Sequence, residues 1–143
     1  MTILVREASV KDFTDVYQFI CELQGKVFDK ETMQTLYSEN ISNANYIYLV
    51  ACEDNTTVGY VSCHIQNLLH HAGKVAEIQE MFVLPAYRSS GIGKIMMGEI
   101  KKRVKEKGAL QLEVTTRTIR EKAIQFYIRE AFQDSHKKLV YYF

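Results

Sequence analysis

One stretch in the middle of the chain restricts the possible folds more than any other. From Glu77 to Lys94 it reads EIQEMFVLPAYRSSGIGK: an apolar strand, a proline break, a loop of small residues and the start of an amphipathic helix. Gly91 and Gly93 lack a Cβ, so a ligand can approach the backbone closely. The free amides and the positive dipole end at a helix N-terminus favour an anion, and Arg88 and Lys94 add positive charge. The stretch therefore predicts a loop that binds a phosphate-bearing ligand.

Two common phosphate-binding loops do not match this stretch. The P-loop requires a Ser or Thr after Gly-Lys to reach a magnesium ion, and here Ile95 follows. The dinucleotide fingerprint requires three glycines after the first strand of a βαβ unit, and this stretch has two at mid-chain. What remains is R-x-x-G-x-G between a strand and a helix. Together with the preceding Val83–Tyr87, it resembles the acetyl-CoA loop of the GNAT superfamily of N-acetyltransferases.

Length and composition indicate one soluble globular domain covering residues 1–143. The chain is 47% hydrophobic and 24% charged, without internal repeats or a Pro/Gly-rich linker. A net charge of +1 gives no support for a nucleic-acid or membrane surface. No run of about 18 apolar residues exists to span a bilayer. The N-terminal MTILVREAS carries Arg6 and Glu7 where a signal peptide needs an apolar core, and the three cysteines have no C-x-x-C spacing. A cytoplasmic protein with reduced thiols is expected.

The order of predicted elements is β-α-α-β-β-β-α-β-α-β, a mixed α/β sheet that is the order of the GNAT fold. Ser9, with Asp12 three residues later, predicts the start of the first helix, and Gly25 its end. Asp29 is a candidate N-cap for the second helix. The predicted helices are 9–24, 30–40, 91–107 and 118–130, and the predicted strands are 3–7, 46–53, 58–66, 74–84, 110–114 and one or two within 132–143.

The strand before the loop carries an irregularity. Ile78 and Met81 are three residues apart, which in an unbroken strand would place them on opposite faces. One extra residue near Gln79 or Glu80 would bring them to the same face, which is a β-bulge. In the family that the chain resembles, such a bulge splays this strand from the next one, and the pantetheine arm of the cofactor enters the gap. Met81 could alternatively face a second apolar layer.

Acetyl transfer to an amine requires a proton acceptor and a proton donor. An alkylamine with a pKa of about 10.4 is mostly ammonium at neutral pH, so a carboxylate or a water chain must remove a proton. The resemblance implies Glu77 or Glu80 as the base, and Glu77, which matches the position of the base in the family's histone acetyltransferases, is slightly favoured. A bulge between them could turn one to the cleft and the other to solvent, and both could instead be solvated strand-edge charges. Tyr127, in a run that resembles A-I-x-F-Y-x-x-x-G-F, is implied as the acid, with a core aromatic as the alternative. Ala131 replaces the usual glycine of that run.

The resemblance also implies the contacts of acetyl-CoA. The backbone of the bulged strand would bind pantetheine, and the loop would bind the pyrophosphate. Arg120 stands where the family often has an asparagine that contacts the cofactor. The implied cofactor-binding residues are Met81, Phe82, Val83, Arg88, Ser89, Ser90, Gly91, Ile92, Gly93, Lys94 and Arg120.

The acceptor amine is predicted from a second resemblance, to aminoalkylphosphonate N-acetyltransferases. Their substrate carries a phosphonate dianion, so cationic side chains are needed, and His64, His70, His71 and Arg129 are the candidates. His70 and His71 would point to opposite sides of a strand, could join Glu77 or Glu80 in a metal site, or could be a surface loop pair, which is favoured. The matching segments are Ile20–Leu23, Leu69–His71, Glu77–Glu80, Phe126–Glu130 and Ser135–His136.

Two other functions stay open at this point. An acetyltransferase for protein N-termini, polyamines or aminoglycosides would share the cofactor loop. A module that binds coenzyme A without catalysis would share it too, although such a module needs neither the Glu pair nor Tyr127. A homodimer is a further hypothesis, because the aromatic segment Leu139–Phe143 could form an interface strand.

Overall fold

A five-stranded mixed sheet organises the fold in a computed structural model that describes residues 2–143. The strands lie in sequence order, β1 to β5; the first three pairings are antiparallel and β4–β5 is parallel. Parallel pairing requires a crossover, which α3 supplies. The predicted α/β class is confirmed. The strands are β1 Ile3–Glu7, β2 Tyr46–Glu53, β3 Thr56–Leu68, β4 Gly73–Val83 and β5 Ala109–Val114, and the helices are α1 Phe13–Gln24, α2 Lys30–Ile41, α3 Ile92–Glu106 and α4 Glu121–Arg129.

The predicted helix signals act where they were expected. Ser9 and Asp12 form a capping box around a short 3-10 turn that leads into α1, and Gly25 ends α1 with a φ of +62°. The Asp29 carboxylate accepts a hydrogen bond from the Thr32 amide at 2.9 Å at the start of α2. Arg6 also binds both carboxylate oxygens of Asp12 at 2.8 Å, which ties β1 to the beginning of α1. That hydrogen-bonded ion pair lowers the pKa of Asp12.

Each face of the sheet carries its own apolar core. On one face, Met96, Met97 and Ile100 of α3 pack on β2 and β3, and α4 contributes Phe126 and Tyr127 at the margin. On the other face, aromatic and aliphatic side chains of α1 and α2 pack on the alternate residues of the same strands. Strand β2 is therefore buried on both sides, as its unbroken apolar sequence indicates.

The predicted β-bulge is confirmed, and its extra residue is Gln79. Ser62 pairs with Glu80 while the next residue, Cys63, pairs with Ile78, so Gln79 has no opposite residue on β3. Pairing of β4 with β5 ends at Ile78, whereas pairing with β3 continues to Val83. The segment 79–83 therefore has an open edge on its β5 side.

Three predicted elements differ from the structure. Helix α1 begins at Phe13 rather than Ser9, because residues 10–12 form the 3-10 turn; the other two differences lie in the C-terminal part of the chain. The predicted terminal strand or strands within 132–143 are wrong: these residues form no strand, and Leu139 and Tyr141 are 92% and 83% exposed. An apolar alternation becomes a strand only when an edge is hydrogen-bonded to it, and this segment pairs with none. Helix α4 begins at Glu121 rather than Thr118, after a turn. Within residues 2–143 no helix is long and apolar enough to cross a membrane.

Candidate active site

A cleft of about 2060 Å³ opens where β4 and β5 separate. The end of α1 lines it from one face of the sheet, and α4 lines it from the other. Seven Lys and Arg side chains line the cleft against five Glu side chains, so it favours an anionic ligand. The positive residues are Arg88, Lys94, Arg117, Arg120, Lys122, Arg129 and Lys138; the negative ones are Glu22, Glu77, Glu80, Glu121 and Glu130.

The loop between β4 and α3 has a constrained backbone. Gly91 has a φ of +90° and Ser89 a φ of +64°, so the chain turns sharply there. Arg88 donates from Nε to the carbonyl of Val83 at 2.8 Å, and its guanidinium lies 5.3 Å from the centre of the Phe82 ring. The Arg88 side chain is thus held along the end of β4 beside the loop.

The N-terminus of α3 faces this loop. The first intrahelical bond runs from the Ile95 amide to the Gly91 carbonyl, so the amides of Ile92, Gly93 and Lys94 have no partner within the helix. The Ile92 side chain is buried in the core, which leaves its amide as the group that a ligand could meet. An ideal Cβ at Gly93 would lie 3.2 Å from Phe126 Cε1, so any larger residue there would push the Phe126 ring away from α3. The turn therefore offers free amides at a helix N-terminus, a geometry that favours an anion.

Glu77 and Glu80 both line the cleft. Glu80 is opposite Ser62 and Glu77 is opposite His64, and because Ser62 and His64 are two residues apart, both carboxylates project from the same face of the sheet. The expectation that the bulge turns one to the cleft and one to solvent is therefore wrong. Its extra residue falls between the two, and this restores the shared face.

The two carboxylates differ in how they are held. Glu80 Oε1 accepts hydrogen bonds from the hydroxyls of Ser62 at 2.6 Å and Tyr60 at 3.1 Å. Glu77 Oε2 accepts one bond, from the exposed Thr115 at 3.0 Å. Ser62, Tyr60 and Thr115 were not among the residues predicted from sequence. The alternation of β3 could have placed Tyr60 and Ser62 on one face, but nothing in the sequence sets their register against β4.

Tyr127 lines the cleft from α4. Burial raises its pKa to about 12, and the positive charge of Arg120 lowers it only in part. The phenol therefore stays protonated at neutral pH, as a proton donor must. Arg120 also lines the cleft, but its Nη2 donates to the Leu23 carbonyl at 2.6 Å and so links α4 to α1. Its contact with a cofactor stays a prediction.

The histidines do not meet in the cleft. His64 stacks on Tyr46 with ring centres 3.6 Å apart, and its Nε2 lies 2.9 Å from the Tyr48 hydroxyl. Burial lowers the pKa of His64, against the opposing charges of Glu80 and Glu77. His70 and His71 occupy a 3-10 turn at the tip of the β3–β4 hairpin, not a strand, and line no part of the cleft.

The remaining predicted site residues differ in whether they line the cleft. Residues 2–143 contain no group of three His, Cys, Asp or Glu side chains placed to hold a metal ion. The side chain of Ser90 donates to the Tyr87 carbonyl and is not among the residues that line the cleft. The predicted residues that line the cleft are Glu77, Glu80, Met81, Phe82, Val83, Arg88, Ser89, Gly91, Gly93, Lys94, Arg120, Tyr127 and Arg129.

The fold and the cleft define a class: an α/β protein with a split sheet and a helix N-terminus with free amides at the split. Residues 13–132 match the model of the acetyltransferase (GNAT) family. An aminoalkylphosphonate N-acetyltransferase from Salmonella typhimurium strain LT2 is 34% identical over 132 residues, or 92% of this chain and 86% of that protein. The chain therefore belongs to the acetyltransferase (GNAT) family, and it is an acetyl-transfer enzyme.

Solved structures show the same fold. A transcriptional regulator from Bacillus halodurans C-125 has a TM-score of 0.90 at 24% identity, covering 99% of this chain and all (100%) of its own. Glucosamine-6-phosphate N-acetyltransferase from Arabidopsis thaliana has a TM-score of 0.83 at 17% identity, with 100% and 99% covered. At these identities the likeness concerns the fold alone.

Enzymes of this family take the acetyl group from acetyl-CoA, and the residues of the cleft fit that donor. The open edge of 79–83 offers backbone groups to an extended amide chain, which is the chemistry of the pantetheine arm. The free amides at the start of α3 and the excess of Lys and Arg suit a pyrophosphate.

Proposed function

We propose that this enzyme moves the acetyl group of acetyl-CoA directly onto the primary amine of a small aminoalkylphosphonate. One observation carries the proposal: a cleft that joins an anion-binding loop, two carboxylates and a protonated phenol. The 34% identity with a protein named for aminoalkylphosphonate N-acetylation supports the choice of amine.

The roles of the residues follow from the needs of the reaction. The substrate enters as an ammonium ion, so Glu77 or Glu80 accepts its proton, directly or through a water molecule. The amine nitrogen then forms a bond to the thioester carbonyl carbon, and the carbon–sulfur bond breaks. Tyr127 gives its hydroxyl proton to the leaving thiolate, and the nitrogen loses its second proton to the Tyr127 phenolate, directly or through water. The loop amides, Arg88 and Lys94 hold the donor in place.

The phosphonate group requires a cation in the cleft. Of the four candidates predicted from sequence, only Arg129 lines the cleft, so we assign the phosphonate to Arg129. Arg129→Gln should raise the KM for the aminophosphonate at least tenfold and leave the KM for acetyl-CoA within twofold. Lys102→Gln, at an exposed position that does not line the cleft, is the matched control. An equal rise in both KM values would show that Arg129 contributes to binding of acetyl-CoA and is not specific for the phosphonate.

The substrate is tested by measuring thiol release from acetyl-CoA with a panel of amines. We expect kcat/KM to be highest for 1-aminoethylphosphonate, with alanine as the carboxylate analogue and ethylphosphonate as the control without an amine. If kcat/KM were higher for spermidine or for an aminoglycoside, that amine would be assigned as the substrate in place of the aminophosphonate. A relative named as a spermidine N(1)-acetyltransferase, 22% identical over 150 residues, makes the polyamine the second candidate. The excess of positive charge in the cleft disfavours it.

A non-catalytic protein that binds coenzyme A is the outcome that this panel must separate from an enzyme. Coenzyme A should raise Tm by mass action in both cases. Stabilisation without thiol release for any amine would contradict the proposed reaction and leave a binding module.

We also propose a homodimer in a reducing compartment such as the cytoplasm. Leu139, Tyr141, Tyr142 and Phe143 form an exposed apolar segment, which on a soluble protein favours self-association. The three cysteines of the chain are free and two of them are buried, which fits a compartment that keeps thiols reduced. Light scattering should give twice the monomer mass for the full chain and the monomer mass for a chain ending at Lys138. A monomeric full chain would contradict the dimer.

A further inference from the structure

Two buried hydroxyls on β3 donate hydrogen bonds to the same carboxylate oxygen. Ser62 and Tyr60 are both 0% exposed, and Tyr60 belongs to the core beneath α1 and α2. Their hydroxyls donate to Glu80 Oε1 at 2.6 and 3.1 Å, and the Glu80 amide donates to Ser62 Oγ at 3.1 Å. A buried hydroxyl without a hydrogen-bond partner costs about 1–3 kcal/mol, so hydroxyls at these positions need an acceptor. Their partner here is a carboxylate at the cleft.

The β-bulge creates this arrangement. In an unbroken strand Glu80 would share the face of Ile78, which packs in the α3 core. The extra residue at Gln79 moves Glu80 to the opposite face, directly across from Ser62. Tyr60, two residues before Ser62 on β3, lies on the same face and reaches the same oxygen. The bulge, Ser62 and Tyr60 therefore act on one side chain.

The arrangement leaves the second carboxylate oxygen available. Both hydroxyls bind Oε1, and among the described residues none hydrogen-bonds Oε2, while Glu80 lines the cleft. Burial and the charge of Glu80 raise the pKa of Tyr60, so Tyr60 stays a donor to the carboxylate. Glu77, by contrast, is held by one bond from an exposed threonine.

We propose that Ser62 and Tyr60 are positioning residues that hold the Glu80 carboxylate with Oε2 toward the cleft, so that Glu80 rather than Glu77 is the base. The proposal rests on the proposed function. An N–H bond of the substrate ammonium breaks, its proton goes to Oε2, and the electron pair stays on nitrogen for attack on the carbonyl carbon. The sulfur takes the Tyr127 proton as the carbon–sulfur bond breaks, the nitrogen passes its second proton to the Tyr127 phenolate, directly or through water, and Glu80 releases its proton to solvent.

The test is a double-mutant cycle with thiol release as the readout. Ser62→Ala should lower kcat about tenfold, the value of one charge-assisted hydrogen bond, and leave the KM for acetyl-CoA within twofold. In a Glu80→Gln background, the same change should lower kcat less than twofold, because the carboxylate that it positions is gone. Tyr60→Phe, which keeps the ring in its packing, should lower kcat about threefold and serves if Ser62→Ala does not fold. Val61→Ala, buried on the opposite face, is the control for truncation of β3 and should leave kcat within twofold.

Each outcome decides a separate point. Loss of kcat by Ser62→Ala to the same extent in both backgrounds would show a structural role and overturn the proposal, as would wild-type kcat in both Ser62→Ala and Tyr60→Phe. Wild-type kcat in Glu80→Gln with loss in Glu77→Gln would overturn the choice of Glu80 while acetyl transfer stands. Absence of thiol release by the wild-type enzyme with every amine would instead overturn the proposed function.

Discussion

Gly93→Ala tests the packing that positions the proposed acid. An ideal Cβ at Gly93 would lie 3.2 Å from Cε1 and 3.3 Å from Cζ of Phe126, closer than the optimum of about 3.5–4.0 Å for carbon atoms. The ring must therefore move by a few tenths of an ångström. Overpacking costs about 1–3 kcal/mol, and Ala gains up to about 1 kcal/mol over Gly in a helix. We expect a net loss of about 1 kcal/mol in the free energy of unfolding.

Gly98→Ala is the matched control in the same helix. No atom lies within 4 Å of an ideal Cβ at Gly98, so this change gains the helix propensity without a clash. Urea denaturation should place the two variants about 2 kcal/mol apart, with wild type between them. A Gly93→Ala variant as stable as Gly98→Ala would refute the argument.

The same substitution should affect catalysis. Phe126 precedes Tyr127 on α4, and their rings contact each other with centres 5.3 Å apart. Displacing Phe126 should displace the phenol, and because catalysis depends steeply on placement, kcat should fall several-fold. Gly98→Ala should keep wild-type kcat. Unchanged kcat in both variants would show that α4 absorbs the added methyl group away from Tyr127.

Three further substitutions test separate statements. Tyr127→Phe should lower kcat about 100-fold with an unchanged KM for acetyl-CoA, and unchanged kcat would remove Tyr127 from the reaction. Because burial lowers the pKa of His64, the unfolded chain takes up its proton first, so the free energy of unfolding should fall as pH drops below about 6.5. His64→Gln should flatten that dependence in urea titrations at pH 7.5, 6.5 and 5.5, and an equal slope would exclude His64. Asp12→Asn breaks the ion pair with the partly exposed Arg6 and should lower the free energy of unfolding by about 2 kcal/mol. An unchanged free energy of unfolding would contradict a stabilising role of this pair.

The local features of the site could be predicted from the sequence. Gly91 with R-x-x-G-x-G indicated a turn before a helix N-terminus, and the spacing of Ile78 and Met81 indicated the bulge; both are present in the structure. Such features depend on neighbours within about five residues, where backbone sterics and strand alternation act directly. The helix caps at Ser9 and Asp29 succeeded for the same reason.

Other features were beyond local reasoning. The side of the bulge on which Glu80 lies depends on the register of β4 against β3, which residues about 18 apart determine. Arg120 was predicted at the cofactor, yet it also bonds to Leu23, 97 residues away along the chain. His70 and His71 matched a family segment, and the structure places them at a hairpin tip away from the cleft.

By itself, the sequence determined the class of the fold, the glycine-containing turn before α3 and the bulged strand, because propensity, alternation and glycine positions are local properties of the chain. Only the tertiary structure decided which partner each polar side chain meets. Glu77 and Glu80 are three residues apart and chemically alike, yet two buried hydroxyls from β3 hold one of them and an exposed threonine holds the other. The aromatic pattern of 139–143 resembles a strand, but its backbone forms no hydrogen bonds with a neighbouring strand edge, so the segment stays exposed.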